Sequence, residues 1–240
     1  MSTGARRPMW YERQRSSEGL NTAAREAESL EGLSGFADYC RLREKGLRRE
    51  SFAALRRFLD EARGWPWDKR TRFVDWVLTF QRGHPAAHEL MSEPLMSGLV
   101  LPTLEEWCAR EPGNPVAWRW RGSFSQDEPS EAALLRAIEL DPREQIAREL
   151  LIDRRLWRLD YCVHELPQGF LGNAEEALTD LSEVERLVEG LDPSHGPRPE
   201  YAKELLEYRE LIQSYLDFKR SGSPFQFAQW ADANGRRKSV

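Results

Sequence analysis

At 240 residues, 40% hydrophobic and 31% charged, with a formal net charge of −5, the chain suits a soluble, mostly helical protein long enough to bury a full core as one domain or as two small ones. No stretch approaches the roughly 18 apolar residues of a membrane-spanning helix. Arg6, Arg7, Arg13 and Arg15 have no apolar run behind them, so no secretory signal is expected, and Glu12 and Glu18 argue against a transit peptide.

Residues 1–20 are polar and lack periodicity, and are expected as a tail, with Trp10-Tyr11 as its one docking element. Asn21 is the expected cap of a helix opening Thr22-Ala23-Ala24. A second helix is expected from Phe36 to Lys45, with Gly46 as its stop. Ser51 reads as the cap of a third, in which Phe52, Leu55, Phe58 and Leu59 recur at helical spacing up to Gly64. Trp65-Pro66-Trp67 is a rigid aromatic elbow, because proline fixes its own backbone and restricts the residue before it. Asp68 then caps a helix through Phe73, Trp76, Val77 and Phe80, which Gly83-His84-Pro85 ends.

Short helices are expected at 86–91 and 95–99, and Pro102 starts another with Leu104, Trp107 and Cys108 on a narrow stripe. Glu111-Pro112-Gly113-Asn114-Pro115 is a strong turn signal. A long helical pattern from Arg143 to about Leu166 carries Ile146, Leu150, Trp157, Tyr161 and His164 on one stripe. Asn173 caps a helix with Leu178, Leu181, Val184, Leu187 and Val188, and residues 192–199 form a loop. A further helix bears Tyr201, Leu205, Tyr208, Ile212 and Tyr215, and Pro224 opens a last short one with Phe227 and Trp230, expected to fold back as a cap. No strand pattern appears. One helical domain over 21–234 is expected, with a sub-boundary near 83–92 and a polar tail at 235–240.

Between Asn114 and Pro142 the chain reads Asn-Pro-Val-Ala-Trp-Arg-Trp-Arg-Gly, then Ala132-Ala133, then Ala137-Ile-Glu-Leu-Asp-Pro142. This phrase resembles a tetratricopeptide-type helical hairpin, with Trp118, Gly122, Ala137 and Pro142 at the family's relative places. The turn is shorter than the family's by about four residues, and Ser130 stands at one of its small positions. A second echo runs from Ala174 to Pro193 and ends Gly-Leu-Asp-Pro. The resemblance implies an all-α, irregular array of antiparallel helical hairpins, because such units bury their apolar faces only against neighbours. It also implies a non-catalytic scaffold whose concave surface binds a protein or peptide.

Charge is uneven. Residues 1–82 hold 17 Lys+Arg and 12 Asp+Glu (+5), leaving 18 and 28 (−10) for the rest. The acidic part disfavours nucleic acid or an anionic membrane as partner. The basic positions Arg41, Arg43, Lys45, Arg48, Arg49, Arg56 and Arg57 are interrupted by Glu44, Glu50 and Asp60, and read as a solvated, ion-paired face. The preference for Arg over Lys fits a GC-rich bacterial genome. Cys40, Cys108 and Cys162 are odd in number and far apart, so a reducing cytoplasm is expected and a disulfide framework is not.

Three constellations carry candidate chemistry. Arg119, Trp120 and Arg121, with Tyr201 and Tyr208, are the expected partner-binding groups: arginines for a partner's carboxylates and aromatics for desolvated area. Asp153, Asp160 and His164 share a helical stripe at spacings of seven and four, the arrangement a general acid–base pair would use, although paired surface charges are the commoner outcome. His84 and His88 are four apart, but Pro85 breaks the helix between them, so no metal site is expected and no cofactor motif appears. An immunity or regulatory protein that blocks a toxin or enzyme is the alternative binding reading.

Overall fold

The computed structural model describes residues 12–85, 87–124, 128–166, 168–194 and 198–236, with side chains from Glu18 onward. Among them every regular element is helical. No described helix is long and apolar enough to cross a membrane. The all-α expectation therefore holds.

Helix α1 (Glu12–Ser29) begins well before Asn21, inside the stretch expected as a tail. Packing explains the extension. Leu20 is 2% exposed, and a Cβ added to Gly19 would lie 2.7 Å from the Ala87 Cβ, so α1 needs glycine to approach the 84–90 segment. Trp10 and Tyr11 lie outside the described residues. Helix α2 (Ser34–Glu44) ends in the turn where Gly46 takes φ 71°, a conformation open to glycine without steric cost. Helix α3 (Arg48–Ala62) starts four residues earlier than a Ser51 cap predicts. Ser51 is buried within the helix, and its hydroxyl donates to the Arg48 carbonyl at 2.8 Å.

Helix α4 (Trp67–Gly83) has Pro66 at its N-cap, and Asp68 sits in the first turn bridged to Arg72 at 2.7 Å. The aromatic elbow has two separate uses. Trp65 packs edge-on against Phe58 (5.2 Å) and Phe73 (5.7 Å), while Trp67 and Trp107 both donate indole N–H groups to the Glu111 carboxylate, at 2.9 and 3.0 Å. Phe36 joins the same core at 5.2 Å from Phe58 and from Phe73. Fully burying such side chains contributes about 1.5–3 kcal/mol each. A 3₁₀ turn at His88–Leu90 leads into α5 (Glu93–Leu95), a π-helical turn at Met96–Val100, and α6 (Leu101–Arg110).

The chain divides into two compact units, Met1–Pro112 and Gly113–Val240, at the strong turn signal and not near 83–92. The 84–90 segment cannot be a boundary because it is tied into the first unit. Tyr39, fully buried, donates its hydroxyl to the carbonyls of Glu89 (3.0 Å) and Leu90 (3.3 Å).

The second unit opens with α7 (Pro115–Arg121) and α8 (Glu128–Leu140), two helices in contact. Asn114 caps α7 through the Val116 N–H at 3.0 Å. Then follow α9 (Gln145–Val163), capped by Glu144, α10 (Ala174–Glu189), capped by Asn173, α11 (Arg198–Ser221) and α12 (Phe227–Ala233). Successive helices pack on each other, and α9 also touches α11. Their core is Ile152, Leu159, Leu181, Val184, Leu205 and Ile212, all nearly or fully buried. Phe227 of α12 lies 5.5 Å from the rings of Tyr215 and Phe218, sealing the end of α11.

Gly122 is the tightest point of the α7–α8 pair. A Cβ there would lie 2.7 Å from the Ser130 carbonyl oxygen and from Leu134 Cγ. Gly122→Ala is therefore expected to cost about 1–3 kcal/mol by urea denaturation, as overpacking does. Gly113→Ala, which meets nothing within 4 Å, should be close to neutral. Equal stabilities would mean the two helices do not approach this closely.

Candidate functional site

Helix α9 must satisfy two demands. Its buried side carries Ala147, Leu151, Ile152, Leu156, Leu159 and Val163, together with Arg154 and Arg155. The stripe Trp157, Tyr161 and His164 is exposed, at 46% for Trp157 and 55% for Tyr161. The helix has apolar residues on most of its sides, and the branched and small ones at 3–4 residue spacing win the core because they pack without stranding a polar tip.

The Tyr201 hydroxyl donates to Asp153 Oδ1 at 2.6 Å, and the Tyr208 hydroxyl to Asp160 Oδ1 at 3.4 Å. Both pairs are 48 residues apart, so α9 and α11 run in the same direction with this row between them. Two sets of candidates kept apart in the sequence are thereby brought to one surface. Glu204, half-buried on α11, completes it. Its carboxyl is held above the usual glutamate range, first by burial and then by the negative charge of Asp160, Asp153 and Glu207, with a Tyr208 hydrogen bond opposing. The Tyr208 hydroxyl is pushed up by burial and by Asp160 and Glu204.

Beside these carboxylates, the rings of Trp157 and Tyr161 stack at 6.2 Å with 23° between planes. Among the described residues neither Asp153, Asp160 nor Glu204 has an ion pair, and the tyrosines have spent their hydroxyls as donors. The surface thus offers carboxylate acceptors and aromatic faces, which suits a cation carrying N–H groups. Trp157, Tyr161 and Glu204 were not singled out as site residues by sequence. The signal available was an aromatic pair four apart interleaved with two aspartates.

The other candidates separate. His164 turns its ring to the Tyr161 carbonyl (2.6 Å) and to Glu165 (3.0 Å), not to the Asp160 carboxylate, so the acid–base pair is not assembled. His84 bonds to the Phe80 carbonyl at 3.1 Å and stacks on that ring at 4.1 Å. No group of three His, Cys, Asp or Glu among the described residues is placed to hold a metal ion.

Arg119 and Trp120 are not groove residues. They are 8% and 2% exposed. Arg119 bridges Glu144 at 3.1 Å and lies over the Trp120 ring, 4.4 Å from its centroid. Glu144 in turn accepts from the Ile146 and Ala147 N–H groups, at 3.1 and 3.4 Å, so the pair anchors the start of α9 to α7. Trp118 is half-buried against Leu134, Ala137, Ala147 and Leu151, and Arg121 is half-buried on the last turn of α7.

Compared with protein-family models, with curated proteins and with solved structures, the chain matches none.

Arg119→Ala is expected to destabilise the fold by about 3–5 kcal/mol in urea denaturation, because it strands the buried Glu144 carboxylate. Arg121→Ala should stay within about 0.5 kcal/mol. If the two variants were equally stable, Arg119 would be a surface group after all.

Proposed function

We propose that this protein is a non-catalytic binding module that holds a basic segment of a protein or peptide partner against the α9–α11 face. The observation that carries the reading is the set of unpaired carboxylates Asp153, Asp160 and Glu204 around the exposed Trp157–Tyr161 pair. Carboxylates crowded together on a partly desolvated surface repel one another, and a partner's Lys or Arg relieves that repulsion while its stem covers the aromatic rings. The helical-hairpin resemblance points to the same kind of function, whereas Arg119 and Arg121 in the sequence suggest a partner of the opposite charge. With Arg119 and Trp120 used internally, the groups left outside select cations.

The same chemistry fits a regulatory or immunity protein that covers a basic active site. The uncompensated acidic face favours that reading over an enzyme, since Asp160 is engaged by Tyr208 and His164 by Glu165. We place the protein in the cytoplasm because its cysteines, Cys40, Cys108 and Cys162, are odd in number and far apart in the sequence.

The test is calorimetric titration of the full chain with a Lys/Arg-rich peptide. Trp157→Ala and Asp160→Asn should each weaken binding about tenfold, as expected when a cation–π contact or a charge-assisted hydrogen bond is lost. A cation favours the ionised Glu204, so affinity should rise as pH climbs through that residue's raised pKa and fall below it. Raised salt should weaken binding. Equal affinity for an acidic peptide of the same length, or unchanged affinity in the folded Asp160→Asn variant, would falsify the assignment.

A further inference from the structure

The first unit contains a cleft of about 660 Å³ between α2, α3 and the start of α5, and its chemistry differs from that of the α9–α11 face. Its charged lining is Arg43, Arg48 and Arg56 against one carboxylate, Glu93. Arg43 is already committed, with its Nε 3.1 Å from Glu89. On the face expected to be solvated and ion-paired, Arg41 and Arg43 have carboxylate partners, whereas Arg48 and Arg56 are exposed and have no ion pair among the described residues. The Arg43 and Arg48 guanidiniums lie over the Phe52 ring, with Cζ at 5.5 Å and 5.9 Å from its centroid. Pro94 adds apolar wall, and Leu55 is buried behind it.

We infer that this cleft binds a small phosphate monoester bearing a flat ring. The cleft is of the size of ordinary small-ligand sites. Guanidinium forks match phosphate oxygens geometrically, and two uncommitted arginines match the charge of a dianion better than that of a monocarboxylate. Phe52, under the Arg43 and Arg48 guanidiniums, and Pro94 offer an apolar wall for a planar group beside the arginines. Glu93 opposes the anion and weakens binding. The site lies wholly within the first unit and does not depend on the proposed function of the α9–α11 face.

The experiment is calorimetric titration of the full chain with phenyl phosphate, benzoate and inorganic phosphate. Phenyl phosphate is expected to bind saturably at one site, with benzoate and inorganic phosphate each about tenfold weaker or worse, for lack of charge and of ring respectively. Arg48→Gln and Arg56→Gln should each cost about tenfold, and Glu93→Gln should tighten binding a few-fold. Arg57→Gln, on the same helix but outside the cleft lining, should change nothing. Both cleft arginines are exposed, so helicity by circular dichroism should be retained in the variants. Three results would overturn the inference: no saturable binding of phenyl phosphate, equal binding by benzoate or by the folded Arg48→Gln/Arg56→Gln protein, or preferred binding of a short oligonucleotide weakened equally by Arg57→Gln. The last would make α3 a general polyanion surface.

Discussion

The second unit depends on where Arg155 sends its guanidinium. From the middle of α9 it reaches Glu131 on α8 at 2.7 Å and Glu183 on α10, and Arg158 joins Glu131 at 3.2 Å. The Arg155 side chain is only 10% exposed, so its charge must be met by carboxylates if the helices are to close over it. Burial works against that charge, and Glu131 and Glu183 more than offset it, so the guanidinium is held more firmly protonated than usual. Arg154 adds a bond to the Gly122 carbonyl at 2.8 Å, and Arg119 ties α7 to Glu144. Three neighbours of α9 are therefore fixed by charge as well as by apolar packing.

This constraint leads to the exposed face. With the inner side of α9 given to core residues and to Arg154 and Arg155, the stripe through Asp153, Trp157, Asp160 and Tyr161 stays outside, alongside α11. Carboxylates on the inner side meet arginines, whereas those on the outer side meet tyrosine hydroxyls and one another. Hydrogen bonds from tyrosine orient a carboxylate without neutralising it, and that leaves the face with charge to offer a partner. In the first unit the sign is reversed, with two arginines uncommitted beside Phe52. The sequence's uneven charge is thus concentrated at particular surfaces.

Much of the fold could be read from local signals. Asn173 caps the helix its side chain predicts, α7 starts at the expected turn, Gly122 sits where two helices touch, and Leu205 and Ile212 face inward. These depend on neighbours a few residues away. What could not be read depends on distant partners. Nothing near Arg119 or Trp120 announces that Glu144, 25 residues on, takes the guanidinium inside. Nothing near Gly19 announces Ala87. Which side of α9 is buried has no local signal, because Trp157 and Tyr161 are as apolar as their neighbours and only the packing of α8 and α10 decides which side closes. Asp153 and Asp160 belong to one constellation in the sequence and Tyr201 and Tyr208 to another, and their meeting rests on the same-direction register of α9 and α11, which no short pattern encodes.

The most direct measurement is hydrogen–deuterium exchange on Arg155→Ala. If one guanidinium couples three helices, amide exchange should accelerate together in α8, α9 and α10 while the first unit is unchanged. Acceleration confined to α9 around residue 155, with α8 and α10 as protected as before, would contradict the account.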